Sequence, residues 1–126
     1  MGKRTVELSA ENFESVVDKT GIVFVDFWAP WCGPCRSFGP VFEAASERHG
    51  GIVFAKANAD ELQELAATFG IRSIPYVMLF REKVILFAQP GTMPAEGLDN
   101  IIEQARALDM AQVHKEIAEQ QSQQQQ

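Results

Sequence analysis

A chain of 126 residues with 46% hydrophobic side chains can bury a core without disulfide or metal staples, and one domain is the default reading. Its formal charge of -6, with no Lys/Arg run, lacks the basic footprint needed for binding nucleic acid or an anionic membrane surface. No stretch approaches the roughly 18 apolar residues of a membrane span, and "MGKRTVELSAENF" has no apolar segment after its basic residues, so the chain is read as soluble and cytoplasmic.

Gly2 invites a lipidation reading, but Val6 stands where that pattern wants Ser or Thr. Residues 5–8, "TVEL", alternate and predict an edge strand, after which Ser9 can cap a helix with Phe13, Val16 and Val17 on its apolar face. Residues 22–29, "IVFVDFWA", form an almost unbroken apolar run, the mark of a strand buried on both faces at the centre of a parallel sheet. Its one charge is Asp26. A helix follows directly, with Phe38, Phe42 and Ala45 at helical spacing up to a stop at Gly50 and Gly51, and with Pro40 expected to kink it.

A further strand begins at Ile52 in "GIVFAKANA", and Asp60 with Gln63 resembles a capping arrangement. Leu62, Leu65, Ala66 and Phe69 then make one helical stripe, ended by Gly70. "YVMLF" and "VILFA" are separated only by "REK", which requires an antiparallel hairpin. The next helix starts near Pro94 and carries Leu98, Ile101, Ile102, Ala105 and Leu108 on one face. The order βαβαβαββα is that of an α/β fold with a central mixed sheet flanked by helices. Residues 1–108 form this domain, and residues 109–126 are a helical extension followed by a Gln-rich tail expected to be disordered. Met110, Val113 and Ile117 fall on a rotated face, which either folds back on the core or offers a surface to a second copy or a partner.

Both cysteines lie in "WCGPC", residues 31–35. In a reducing compartment such a pair is not a staple, and closing so short a loop restrains the unfolded chain very little. Two thiolates are too few for a structural zinc site, and His49 and His114, read as surface helix residues, have no ligand spacing to them. What the pair can do follows from where it sits. Cys32 falls where a central strand ends and a helix begins, among unpaired amides and the positive end of the helix dipole, which favour thiolate over thiol. Cys35 lies one turn further on the same face, close enough to bridge, and is expected to be the more buried sulfur. Cys32 would therefore attack a disulfide and Cys35 would resolve the mixed intermediate. Two other readings compete: an interaction module using the C-terminal face, and a cluster ligand shared between two chains.

"VDFWAPWCGPC", "AKANAD", "GIRSIP" and Gly91 occur in an order and spacing that resemble the thioredoxin family, and the likeness runs over residues 5–108. The resemblance implies the thioredoxin fold and protein-disulfide reduction through Cys32 and Cys35. It implies no bound cofactor, with electrons supplied by NADPH through a flavoprotein thioredoxin reductase. The implied partners are that reductase and disulfide-containing client proteins, met by a monomer. Pro75 matches the family's cis-proline, and Trp31, Gly33, Pro34, Ile74 and Gly91 match the apolar patch on which an extended client docks. By position in its strand Asp26 could face solvent or the interior; the resemblance implies burial, with Lys56 beside it, and a role as general base for Cys35. Pro34 occupies the place where disulfide isomerases of this superfamily hold a histidine, which favours a reductase. Tyr76 where Thr is usual, "REK" without its usual Gly, and Pro90 before Gly91 depart from the family and bear on partner preference.

Overall fold

The computed structural model describes residues 5–18 and 21–124. The first half of the chain runs β1 (Thr5–Glu7), α1 (Phe13–Val17), β2 (Ile22–Trp28), α2 (Gly33–Arg48) and β3 (Val53–Asn58). Then follow α3 (Gln63–Thr68), β4 (Tyr76–Arg81), β5 (Val84–Pro90), α4 (Ala95–Ala107) and α5 (Met110–Gln124). The Gly2 reading and the last two glutamines lie outside the described residues.

The sheet order is β1-β3-β2-β4-β5, with β1, β3 and β2 parallel and with β4 antiparallel to both β2 and β5. β2 sits at the centre, and residues 22–27 are all buried, as its apolar run predicts. Strand alternation divides it between two layers. Val23, Val25 and Phe27 pack with Val16 and Val17 of α1 and with Leu65 and Phe69 around α3. Ile22 and Phe24 pack with Phe38, Phe42 and Ala45 of α2 and with Leu98, Ile102 and Ala105 of α4. Asp26 shares that second face.

Each layer is locked by aromatic contacts: Phe24, Phe42 and Phe54 have ring centroids 5.2–6.0 Å apart, and Phe13, Phe69 and Phe80 pack at 5.9–6.3 Å. A bulge opposite Leu79/Phe80 turns Leu86 and Phe87 toward the same α4 layer despite their being neighbours in the chain.

Local signals were mostly, though not always, used as read. Ser9 and Asn12 exchange side-chain and backbone hydrogen bonds, but α1 starts only at Phe13. α2 runs through Pro40 as one helix, although the ring removes the amide that would bond to Arg36. Gly70 closes α3 with φ +68, and Gly70 N donates to Ala67 O while Ile71 N donates to Ala66 O. His49 is not a surface helix residue: it caps α2, stacks near Phe54 and bonds to Asp99 Oδ1 of α4 at 2.6 Å.

The C-terminal segment departs most from expectation. The backbone turns extended at Leu108, and Asp109 Oδ1 then accepts from Gln112 N to start a new helix, which explains the rotated apolar phase. Leu108 falls off the α4 face and is 43% exposed, whereas Met110 is buried. Arg81 Nη1 donates to the Ala105 carbonyl, and His114 Nε2 lies 2.8 Å from Glu82 Oε1 at the hairpin turn. The segment expected to be a disordered tail is helical through Gln124. A capped and docked first turn removes the nucleation penalty, after which glutamine propagates a helix well.

Two outcomes follow. Met110→Ala should lower stability by about 2 kcal/mol in urea unfolding, while deleting residues 119–126 should leave the melting temperature unchanged, since residues 119–123 are exposed. The hairpin turn holds Glu82 at φ 54 and Lys83 at φ 68, conformations that suit glycine. Lys83→Gly should therefore raise stability by about 1 kcal/mol in the same measurement, since the 3.9 Å pairing of Lys83 with Asp18 is exposed and contributes little.

Candidate active site

Register brings the site together. Phe27 of β2 is paired with Tyr76 of β4, and Tyr76 with Pro90 of β5. The residues after β2, before β4 and after β5 therefore meet at one edge of the sheet, which gathers the cysteines, the 74–75 peptide and Gly91. The Ile74–Pro75 bond is cis, and Gly91 N donates to Pro75 O at 2.8 Å.

Cys32 is the N-cap of α2, with extended backbone (φ -85, ψ 111). Its sulfur accepts from Cys35 N at 3.2 Å, which satisfies one of the amides that the first turn leaves without a helical partner. Gly33 and Pro34 supply the next positions, where proline loses nothing because its missing N–H has no acceptor there. Cys32 and Cys35 are joined in a disulfide, with Cα atoms 5.2 Å apart.

The expected contrast in burial is absent: Cys32 is 4% exposed and Cys35 3%. Ala29 clusters with the two cysteines, Trp28 and Ile74 pack against that cluster, and the Ile74 carbonyl oxygen lies 3.7 Å from Cys32 Sγ. Around them, Trp31 is 67% exposed, and Gly33 and Pro34 are exposed. Trp31 keeps a fixed pose because its Nε1 donates to both oxygens of Asp60, at 2.9 and 3.2 Å. Asp60 is thus an orienting residue for the indole rather than a side-chain cap; only its carbonyl meets Gln63. An apolar groove runs from Trp31 past Ala67, Ile71 and Arg72 to Ile74.

On β2, Asp26 is fully buried, so it faces the interior and not solvent. Neither carboxylate oxygen has a hydrogen-bond partner among the described residues. Burial pushes its pKa up to about 7, opposed by the Lys56 charge and reinforced by that of Glu43. Lys56 is its register partner on β3, but the ammonium goes elsewhere: Nζ is 3.2 Å from Glu43 Oε2 and 4.9 Å from the centre of the Trp28 ring.

The sequence reading assigned no role to Glu43 or Trp28. A signal for Glu43 was present, since Cys35, Gly39 and Glu43 recur every four residues and so share one ridge of α2. Among the described residues there is no group of His, Cys, Asp and Glu suited to a metal ion, and no helix long and apolar enough to cross a membrane.

A helix capped by one half of a disulfide, at the end of a buried strand and facing a cis-proline, defines a thiol–disulfide exchange protein. The thioredoxin family model matches residues 4–104. A protein described as putative thioredoxin 2 of Streptomyces coelicolor is 52% identical over 119 residues, covering 94% of this chain and 89% of its own. Thioredoxin of Haemophilus influenzae is 41% identical over 101 residues, covering 79% of this chain and 94% of its own. A mutant thioredoxin of Halobacterium salinarum matches with a TM-score of 0.78 and 28% identity, over 86% of this chain and 96% of its own. The chain belongs to the thioredoxin family and is a protein-disulfide oxidoreductase working through Cys32 and Cys35.

The raised pKa of Asp26 makes stability depend on pH. The folded state holds this proton up to about pH 7, whereas the unfolded chain loses it near the ordinary value of 3.8. Folding is therefore favoured below the unfolded value, and this advantage is lost as pH rises through the folded one. Asp26→Asn should match the parent near pH 3 and exceed it by up to roughly 4 kcal/mol at pH 8, measured by urea unfolding at both values. Equal increments at the two pH values would show that this carboxyl does not titrate with folding.

Proposed function

We propose that the protein is a reductase of disulfides in cytoplasmic client proteins, acting as a monomer and recharged by NADPH through a flavoprotein thioredoxin reductase. One observation carries the reading: the disulfide caps α2, so reduction leaves Cys32 Sγ facing the Cys35 amide and the helix N-terminus, which favour the thiolate. That thiolate attacks one sulfur of the client disulfide; a Cys32–client bond forms and the client's other sulfur leaves as thiolate. Cys35 then attacks Cys32, restoring the internal disulfide and releasing the second client thiolate, a transfer of two electrons.

Asp26 accepts the proton of Cys35 in the second step, and the Lys56 charge tempers the rise in its pKa that burial causes. Clients lie across Trp31, Gly33, Pro34, Ile74, Pro75 and Gly91, beside the apolar groove. Tyr76 and Pro90, paired across the hairpin, border this patch and bear on client choice.

The test is NADPH oxidation with a thioredoxin reductase and insulin, with this protein as the variable. Turnover proportional to the protein supports the reading, and no turnover refutes it. Cys35→Ser should accumulate client mixed disulfides on non-reducing electrophoresis, and Cys32→Ser should accumulate almost none; the reverse pattern would exchange the two roles.

A further inference from the structure

Asp26, Lys56 and Glu43 are three charged groups that act on one another between β2, β3 and α2, and their arrangement is unexpected on electrostatic grounds. Asp26 and Lys56 are lateral neighbours on adjacent strands and point into the same layer, yet they make no hydrogen bond. Lys56 Nζ is instead drawn toward α2, where Glu43 binds it. Both ends of that pair are well covered, with side chains 13% and 19% exposed, so the interaction is not a solvated surface contact. Gly39 makes the route available: a β-carbon there would lie 3.6 Å from Lys56 Nζ, and any longer side chain would crowd it. The Trp28 ring provides a third contact for the ammonium.

Among the described residues, the charged groups acting on Asp26 are Lys56 from β3 and Glu43 from α2. β4 places Val77 opposite it, and α4 contributes Leu98 and Ile102 to that layer. Among the described residues Lys56 is therefore the cation in position to neutralise Asp26, and its ion pair with Glu43 bears on where it points.

We propose that Glu43 is a positioning residue for disulfide exchange: by holding Lys56 Nζ against α2 it keeps the ammonium off Asp26 and leaves that carboxylate able to take up a proton. The inference deepens the proposed function, and its link to rate rests on the reading of Asp26 as the base for Cys35. Without the Glu43 charge, Lys56 would turn to the unpaired carboxylate one strand away and hold it ionised, making it a weaker base for the thiol.

The experiment is a cycle of Glu43→Gln, Lys56→Met and the double variant, each with Asp26 followed by carboxyl NMR titration. Melting temperatures establish that each variant is folded, and Glu43→Asp, which keeps the charge on a shorter arm, is the second probe at that site. With Lys56 present, Glu43→Gln should lower the Asp26 midpoint by about one pH unit or more. In the Lys56→Met background the same change should move it far less, because only the direct repulsion of Glu43 is then removed. Glu43→Asp should fall between Gln and the parent. Equal shifts in both backgrounds, or no shift, would overturn the positioning role. The pH dependence of single-turnover client reduction separates the two readings: a midpoint that moves without the rate profile refutes Asp26 as base and leaves the positioning intact.

Discussion

The chemistry of this protein depends on one junction, where the buried strand β2 stops and α2 starts with Cys32 as its cap. A strand enclosed by layers on both faces and by strands on both edges has nowhere to shift, so the helix after it begins at a fixed point. The amides of that first turn have no acceptor within the helix, and the Cys35 amide turns to Cys32 Sγ. A position that elsewhere would hold a serine or aspartate holds a sulfur, which couples helix capping to thiol chemistry. The cis-proline reaches the same place through pairing alone, because an antiparallel neighbour of β2 must begin where β2 ends.

The same rigidity makes the buried carboxyl expensive. Asp26 occupies a layer built of aromatic and aliphatic side chains, and neither oxygen is hydrogen-bonded among the described residues. A structure selected only for stability would place an apolar side chain there. The site instead holds a carboxyl whose pKa burial pushes up to about 7, while the lysine paired with it in register has its ammonium on Glu43. Strain of this kind concentrates at functional sites, where each local rule is weighed against reactivity.

The opposite end of the sheet follows a different logic. β4 runs from the cis-proline to Arg81, so the hairpin turn and the start of α5 lie at the edge away from the cysteines. α5 is tied there by the burial of Met110 and the pairing of His114 with Glu82, and it leaves the groove beside Trp31 open. The family match ends at residue 104, whereas an alignment covering 94% of this chain, as with the Streptomyces coelicolor relative, takes in most of α5.

Much of this was legible from residue order. The apolar run of β2, the "REK" hairpin, the Gly70 stop and the cysteines at a strand-to-helix boundary are local patterns, set by periodicity and by backbone chemistry that acts within a few residues. What required the folded chain was every property arising between distant segments. Alternation along β2 left Asp26 with two equivalent directions, and only packing α2 and α4 on one face made its side the interior. Cys32 reads as an exposed helix start, yet Ile74, distant in sequence, covers it. Asp60 resembles a cap until Trp31 is brought over it, and Lys56 resembles a partner for Asp26 until α2 presents Glu43. A sequence specifies which groups a residue carries and its near neighbours; which charge it meets depends on how layers stack, and buried electrostatics responds to distances of a few ångströms.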